Sequence, residues 1–161
     1  MSMQNQSALI TAATSSSGMT ETIKSRFGEI MIDKSKTVVF SNGLLGMPDK
    51  LQFVLTQFPS EKMQQFTLLQ SMDDKNLAFI TLPLNIDNPI LTYNDIHSTC
   101  RELQIAEADL ALLLIVSVHR SPDQVRLSVN ARAPLFIDAN RRIGIQHVFQ
   151  NDLYKVQHML G

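Results

Sequence analysis

Two neighbouring stretches, Leu110 to Val118 and Val125 to Arg132, constrain the fold most. The first is apolar almost without a break, and the second alternates Val125, Leu127, Val129 and Ala131 with Arg126, Ser128, Asn130 and Arg132. Alternation puts successive side chains on opposite faces of a strand, whereas one face of a helix repeats every ~3.6 residues. A continuous apolar run beside an alternating one therefore predicts a buried strand next to one with a solvent or partner face.

Short strand-like runs recur elsewhere: Glu29 to Asp33, Thr37 to Phe40, Leu51 to Leu55, Phe66 to Ser71, Leu77 to Leu82, Leu135 to Ile137 and Ile143 to Phe149. Asn42-Gly43 and the segment Asp138 to Arg142 read as turns, and Pro83 is expected to stop the run before it. Only Asn94 to Leu103 changes period, placing Ile96, Cys100 and Leu103 on one helical face with Asn94 as the cap. Many short strands and one helix predict a mainly β fold, a small antiparallel β-barrel-like or sandwich domain with one short helix. The chain has 161 residues, 44% of them hydrophobic, enough for one core without disulfides or metal. Residues 1–20 carry no charged side chain and no period and are expected to be a disordered tail, leaving 21–161 as a single domain.

Charge and cysteine content exclude several classes. Lys plus Arg total 14 and Asp plus Glu total 15, which is not the balance of a general nucleic-acid binder. The middle of the chain is acidic, with Asp73, Asp74, Asp87, Asp95, Glu102, Glu107 and Asp109 against Lys75 and Arg101; from Arg120 onward bases outnumber acids. Cys100 is the only cysteine, so no internal disulfide or CxxC site can form. No basic segment precedes a long apolar one, and nothing approaches the ~20 apolar residues of a membrane span. The expected location is the cytoplasm, with no membrane contact.

Asp73 and Asp74 are adjacent carboxylates between two strand-like runs. As a catalytic pair they would need burial and mutual proximity. Neighbours in a strand point to opposite faces, and aspartate favours turns, so a solvated hairpin turn is the better reading and a hydrolase the alternative. His97, His119, His147 and His158 show no metal-binding spacing, and Cys100 sits on the apolar helix face as a core residue. Gly43 and Gly46 lack the spacing of a phosphate cradle. Arg126, Arg132, Arg141 and Arg142 offer a basic patch without a stacking series of aromatics; a nucleic-acid-binding barrel is thus a further alternative, and no direct nucleic-acid contact is expected. No catalytic, metal or cofactor site is predicted.

Five segments in order carry a resemblance: Phe27 to Ile30, Phe40 to Met47, Leu69 to Ser71 with Ala78 to Ile80, Asn130 to Leu135, and Tyr154-Lys155 with His158. Together they resemble the flagellar assembly factor FliW family, from about Glu21 to His158. The resemblance implies a small antiparallel β-barrel-like protein that is not an enzyme. It also implies two partners, newly made flagellin and CsrA, a small RNA-binding repressor of flagellin translation, so that translation follows secretion. Gln70, Ser71, Asp73, Asp74, Asn130 and Arg132 are the candidate partner contacts.

Overall fold

The computed structural model describes residues 4–10 and 19–161. Its elements are α1 (Gln4–Leu9), β1 (Thr20–Ser25), β2 (Gly28–Asp33), β3 (Val38–Phe40), β4 (Gln52–Gln57), β5 (Thr67–Ser71), β6 (Ala78–Leu84), α2 (Tyr93–Leu103), β7 (Leu110–Arg120), β8 (Val125–Val129), β9 (Leu135–Asp138), β10 (Ile143–Gln146) and β11 (His158–Met159). Seven strands close a ring: β3, β4, β5, β6, β7, β9 and β10, with β7 pairing β9 to complete it. The expected barrel is therefore the fold. Its ladders are antiparallel except one, since β10 runs parallel to β3, with Gly144 opposite Phe40.

β7 makes closure possible because it is long enough to serve three neighbours. Leu112 to Ile115 pair with β6, Leu110 to Leu113 pair with β9 on the other edge, and Val116 to Arg120 continue along β8. Its unbroken apolar character follows from burial on both faces. Leu113 and Ala111 face a cluster with Phe40, Phe53, Leu69 and Leu135, while Leu112 and Leu114 face a second cluster with Phe136 and α2. The β1–β2 hairpin covers a third patch, setting Ile23, Ile30 and Ile32 against Val54, Leu68 and Ala78.

Pro83 does not end β6, as expected from the sequence, but lies inside it opposite Leu113. The missing N–H breaks no ladder there: β5 begins at Thr67, opposite Thr81, so among the described residues no strand faces Pro83 on that edge. The helix cap is also corrected. Thr92, not Asn94, caps α2, its Oγ1 accepting from Asp95 N at 3.2 Å. Along β8 the alternation is only partly realised, for Val125 is 58% exposed and Ser128 is buried, hydrogen-bonded to His119 Nε2 at 2.7 Å. At the β9–β10 turn Asp138 accepts from Asn140 N, Arg141 N and Arg141 Nε. Burial opposes its charge, but these donors hold its carboxyl below the usual carboxylate range.

The tail expectation lies outside the described residues at 1–3 and 11–18. Where residues are described it is corrected: Gln4–Leu9 is helical, Leu9 is 1% exposed within the barrel cluster, and Thr20 opens β1. Ile10 bridges Leu55, and its carbonyl accepts from Lys36 Nζ at 3.0 Å. A helix this short is unstable alone in water, so packing of Leu9 and the bonds after it must hold it. Leu9→Ala should lower stability by roughly 2 kcal/mol, near the lower end for a buried leucine because undocking of α1 limits the loss. Urea midpoints of the two proteins check this; coincident curves would mean α1 contributes nothing.

Candidate partner-binding surface

Three of the segments that carried the resemblance, Phe40 to Met47, Asn130 to Leu135 and Tyr154-Lys155, are tied together by hydrogen bonds. β3 leads into a tight loop in which Gly43 N donates to Phe40 O at 2.8 Å and Met47 N to Leu44 O at 2.8 Å. Gly43 has φ +65°, and a Cβ there would collide with Met47 O and lie 2.7 Å from Pro48 Cα. Only glycine fits. The loop buries Leu44, at 3% exposed, and presents Leu45, at 57%. Gln146 of β10 holds it: its Oε1 accepts from Leu45 N at 2.8 Å while its Nε2 donates to Ala133 O at 3.1 Å. This couples the Phe40–Met47 loop to the Asn130–Leu135 loop.

The second loop is ordered from its own side chains and from the C-terminal segment. Asn130 Oδ1 accepts from Ala133 N at 3.0 Å, and Ala131 N and Arg132 N both donate to Lys155 O, at 3.0 and 3.2 Å. Tyr154 is buried, and its hydroxyl donates to Asp95 Oδ2 while accepting from Thr92 N, which anchors this segment to the start of α2. Arg132 is half-buried, with Nη2 3.8 Å from Asp152 Oδ1.

Asp73 and Asp74 lie in the β5–β6 turn, and each carboxylate has its own main-chain partners. Asp73 Oδ2 accepts from Leu51 N at 3.0 Å and Gln52 N at 3.2 Å, pinning the turn to the start of β4; Asp74 Oδ1 accepts from Asn76 N at 2.9 Å. The turn reading fits this arrangement, and the two carboxyls share no proton-bridging contact. Gln70 and Ser71 are buried, at 0% and 2% exposed, so their side chains build the turn rather than face solvent. Ser71 Oγ accepts from Asp73 N and Asp74 N, both at 3.0 Å, and Gln70 Nε2 points into the carbonyls of Ser71, Lys75 and Leu77. Of the six candidate contacts, Asp73, Asp74, Asn130 and Arg132 retain solvent exposure. Leu45 and Gln146 were not singled out from the sequence. The signal for Leu45 was its place between Gly43 and Gly46, which forces a protruding loop.

Asp73→Ala should cost about 1–2 kcal/mol, since it strips two amides of a charged acceptor. Asp73→Asn keeps an oxygen and should lose less. Hydrogen exchange at Leu51 and Gln52 should quicken in the alanine variant; unchanged exchange would show that the carboxylate does not hold the loop.

Several of the remaining titratable groups have structural partners. His97 Nδ1 lies 3.1 Å from Glu107 Oε1, and His147 stacks edge-on with Phe136 and Phe149, burial lowering its pKa. Arg141 is bound to Asp138 and to Gln104 O, whereas Arg126 lies on β8. Among the described residues no group of three His, Cys, Asp or Glu could hold a metal. Cys100 is buried in α2 and burial pushes its thiol up to about 11. It should react with a thiol reagent at neutral pH only on unfolding; rapid labelling of the native chain would contradict its core position. No helix of the described residues is long and apolar enough to cross a membrane.

Comparison with known proteins agrees with this architecture. The model of the FliW protein family matches residues 21–160. A flagellar assembly factor FliW of Geotalea uraniireducens is 31% identical over 83% of this chain and 79% of its own length. The one from Geobacillus sp. is 34% identical over 83% of this chain and 90% of its own. A crystal structure of the flagellar assembly factor FliW superposes with a TM-score of 0.63 at 28% identity, covering 86% of this chain and 96% of that one.

Proposed function

The chain belongs to the FliW family of flagellar assembly factors, and from that premise we propose that it acts without catalysis in the cytoplasm, binding flagellin and, when flagellin is exported, capturing CsrA to relieve translational repression. The observation that carries this reading is the family match over residues 21–160, which includes every loop of the hydrogen-bonded surface around Leu45 and Arg132. Flagellin and CsrA themselves come from the resemblance, and the loop surface supports them by offering an exposed apolar residue, Leu45, on a loop that Gln146 bonds to the one carrying Arg132. Such a surface suits a protein partner better than a small substrate. The exposed acids of the middle segment, Asp73 among them, would speed encounter with a basic repressor more than they tighten the complex.

Co-purification from a flagellated cell tests the reading. Flagellin and CsrA should both be recovered with the tagged chain, and recovery of neither would overturn it. Leu45→Asp should reduce capture while leaving the thermal midpoint near that of the unaltered chain, because Leu45 is mostly outside the core.

A further inference from the structure

The β6–β7 ladder stops short of both strands. It runs from Leu84 opposite Leu112 to Thr81 opposite Ile115. The same register continued would set Ile80 against Val116 and Ala78 against Val118. Instead, among the described residues, β6 there pairs only with β5, and β7 only with β8. Asn130 N donates to Ile115 O at 2.9 Å, so Ile115 turns its main-chain groups toward β8. By alternation Val116, Val118 and Arg120 turn theirs toward the gap beside β6.

The gap is a cleft of about 480 Å³. Ile80, Val116 and Val118 line it, and the tip of the β1–β2 hairpin brings Phe27 and Arg26 to its side. Arg26 and Arg120 both border the cleft, and among the described residues no acidic one does. Arg26 lies over the Phe27 ring, 4.5 Å from its centroid, and neither arginine has an ion-pair partner among the described residues.

An unpaired strand edge with an apolar floor and uncompensated guanidinium groups has a specific complement. We propose that this cleft accepts an extended segment of a partner protein, which adds along the β7 edge at Val116, Val118 and Arg120 and carries acidic residues that meet Arg26 and Arg120. A nucleic-acid strand would satisfy the arginines but not the row of main-chain donors and acceptors; a peptide main chain satisfies both. The proposal concerns a face that the loop surface around Leu45 does not include, and it does not rest on the identity of the partners proposed above.

The test begins with the unaltered protein. A fluorescent peptide of alternating threonine and valine, flanked by glutamates, is titrated with the full chain and followed by anisotropy at low salt. Saturable binding is expected, and a lysine-flanked counterpart should bind roughly tenfold more weakly, the effect of two partly exposed charge pairs. N-methylation of the alternate amides on one edge of the peptide should abolish binding, while methylation on the other edge should leave it intact. Arg26→Ala with Arg120→Ala should remove the preference for glutamate. No saturation up to about 1 mM, a regime weaker than ordinary peptide recognition, would overturn the proposal. So would equal tolerance of both methylation patterns. Sedimentation that shows the chain pairing with a second copy, undisturbed by the peptide, would assign the edge to self-association instead.

Discussion

Phe53→Ala is expected to destabilise the protein by about 3–5 kcal/mol, the range for deleting a buried phenylalanine ring. Phe53 is 0% exposed in β4, meets Phe40 edge-on at 5.7 Å between ring centroids and lies 6.3 Å from Phe79. The cost belongs at the upper end because the surroundings cannot collapse. Strands β3, β4 and β5 are held at fixed spacing by ladders on both sides of β4, and the ring of strands is closed. At the usual sensitivity of a domain this size, the thermal midpoint should fall by roughly 10 °C. Phe79→Ala serves as the contrast, since Phe79 is only half-buried and should lose distinctly less. Equal losses for the two variants would mean that Phe53 does not occupy the barrel interior.

That contrast also shows what the sequence carried. Leu112, Leu114 and Val129 were legible as core because an apolar run and an alternating one state their own burial, and all three are buried. Leu77, Phe79 and Leu127 belong to equally apolar runs but are only half-buried, because they lie where ladders end: Leu77 precedes β6, Phe79 borders the open cleft, and Leu127 packs at the margin of its cluster. A local pattern reports which face a residue joins, not how far along the strand its neighbours extend.

Closure itself was less legible. The parallel contact of β3 with β10 involves two residues of each strand, separated by about a hundred positions in sequence, and neither strand carries a mark that names its partner. α1 escaped for another reason: one buried leucine in a six-residue helix makes no period. At the loop surface, the turn at Asp73 and Asp74 was legible but its main-chain partners were not. Their observed bonds show local turn chemistry, in which Ser71 accepts from the two amides ahead of it and Asp73 reaches across to β4. The exposed Leu45 depended on two glycines whose spacing matches no ligand motif, so a search for catalytic patterns passes over it.

The parallel contact that was hardest to read leads to the other large effect. Gly144 of β10 faces Phe40 of β3, and a Cβ on Gly144 would overlap Phe40 Cε2 and stand 2.6 Å from Cζ. The ring has little freedom to yield, since Phe40 is 0% exposed and set edge-on against Phe53. Gly144→Ala should therefore cost about 3 kcal/mol as overpacking, even though alanine is ordinarily a better residue than glycine within a strand. The reason can be tested with a second substitution. Phe40→Leu alone leaves a cavity and should destabilise, but combined with Gly144→Ala the added methyl gains room. The double variant should then be more stable than the sum of the single losses predicts, by an amount of order 1 kcal/mol for residues in direct contact. Urea denaturation of the four proteins in the cycle measures it. Strict additivity would mean that the two side chains do not compete for the same space, and a neutral Gly144→Ala would show that the ring moves aside, so that the β3–β10 contact is looser than a closed barrel requires.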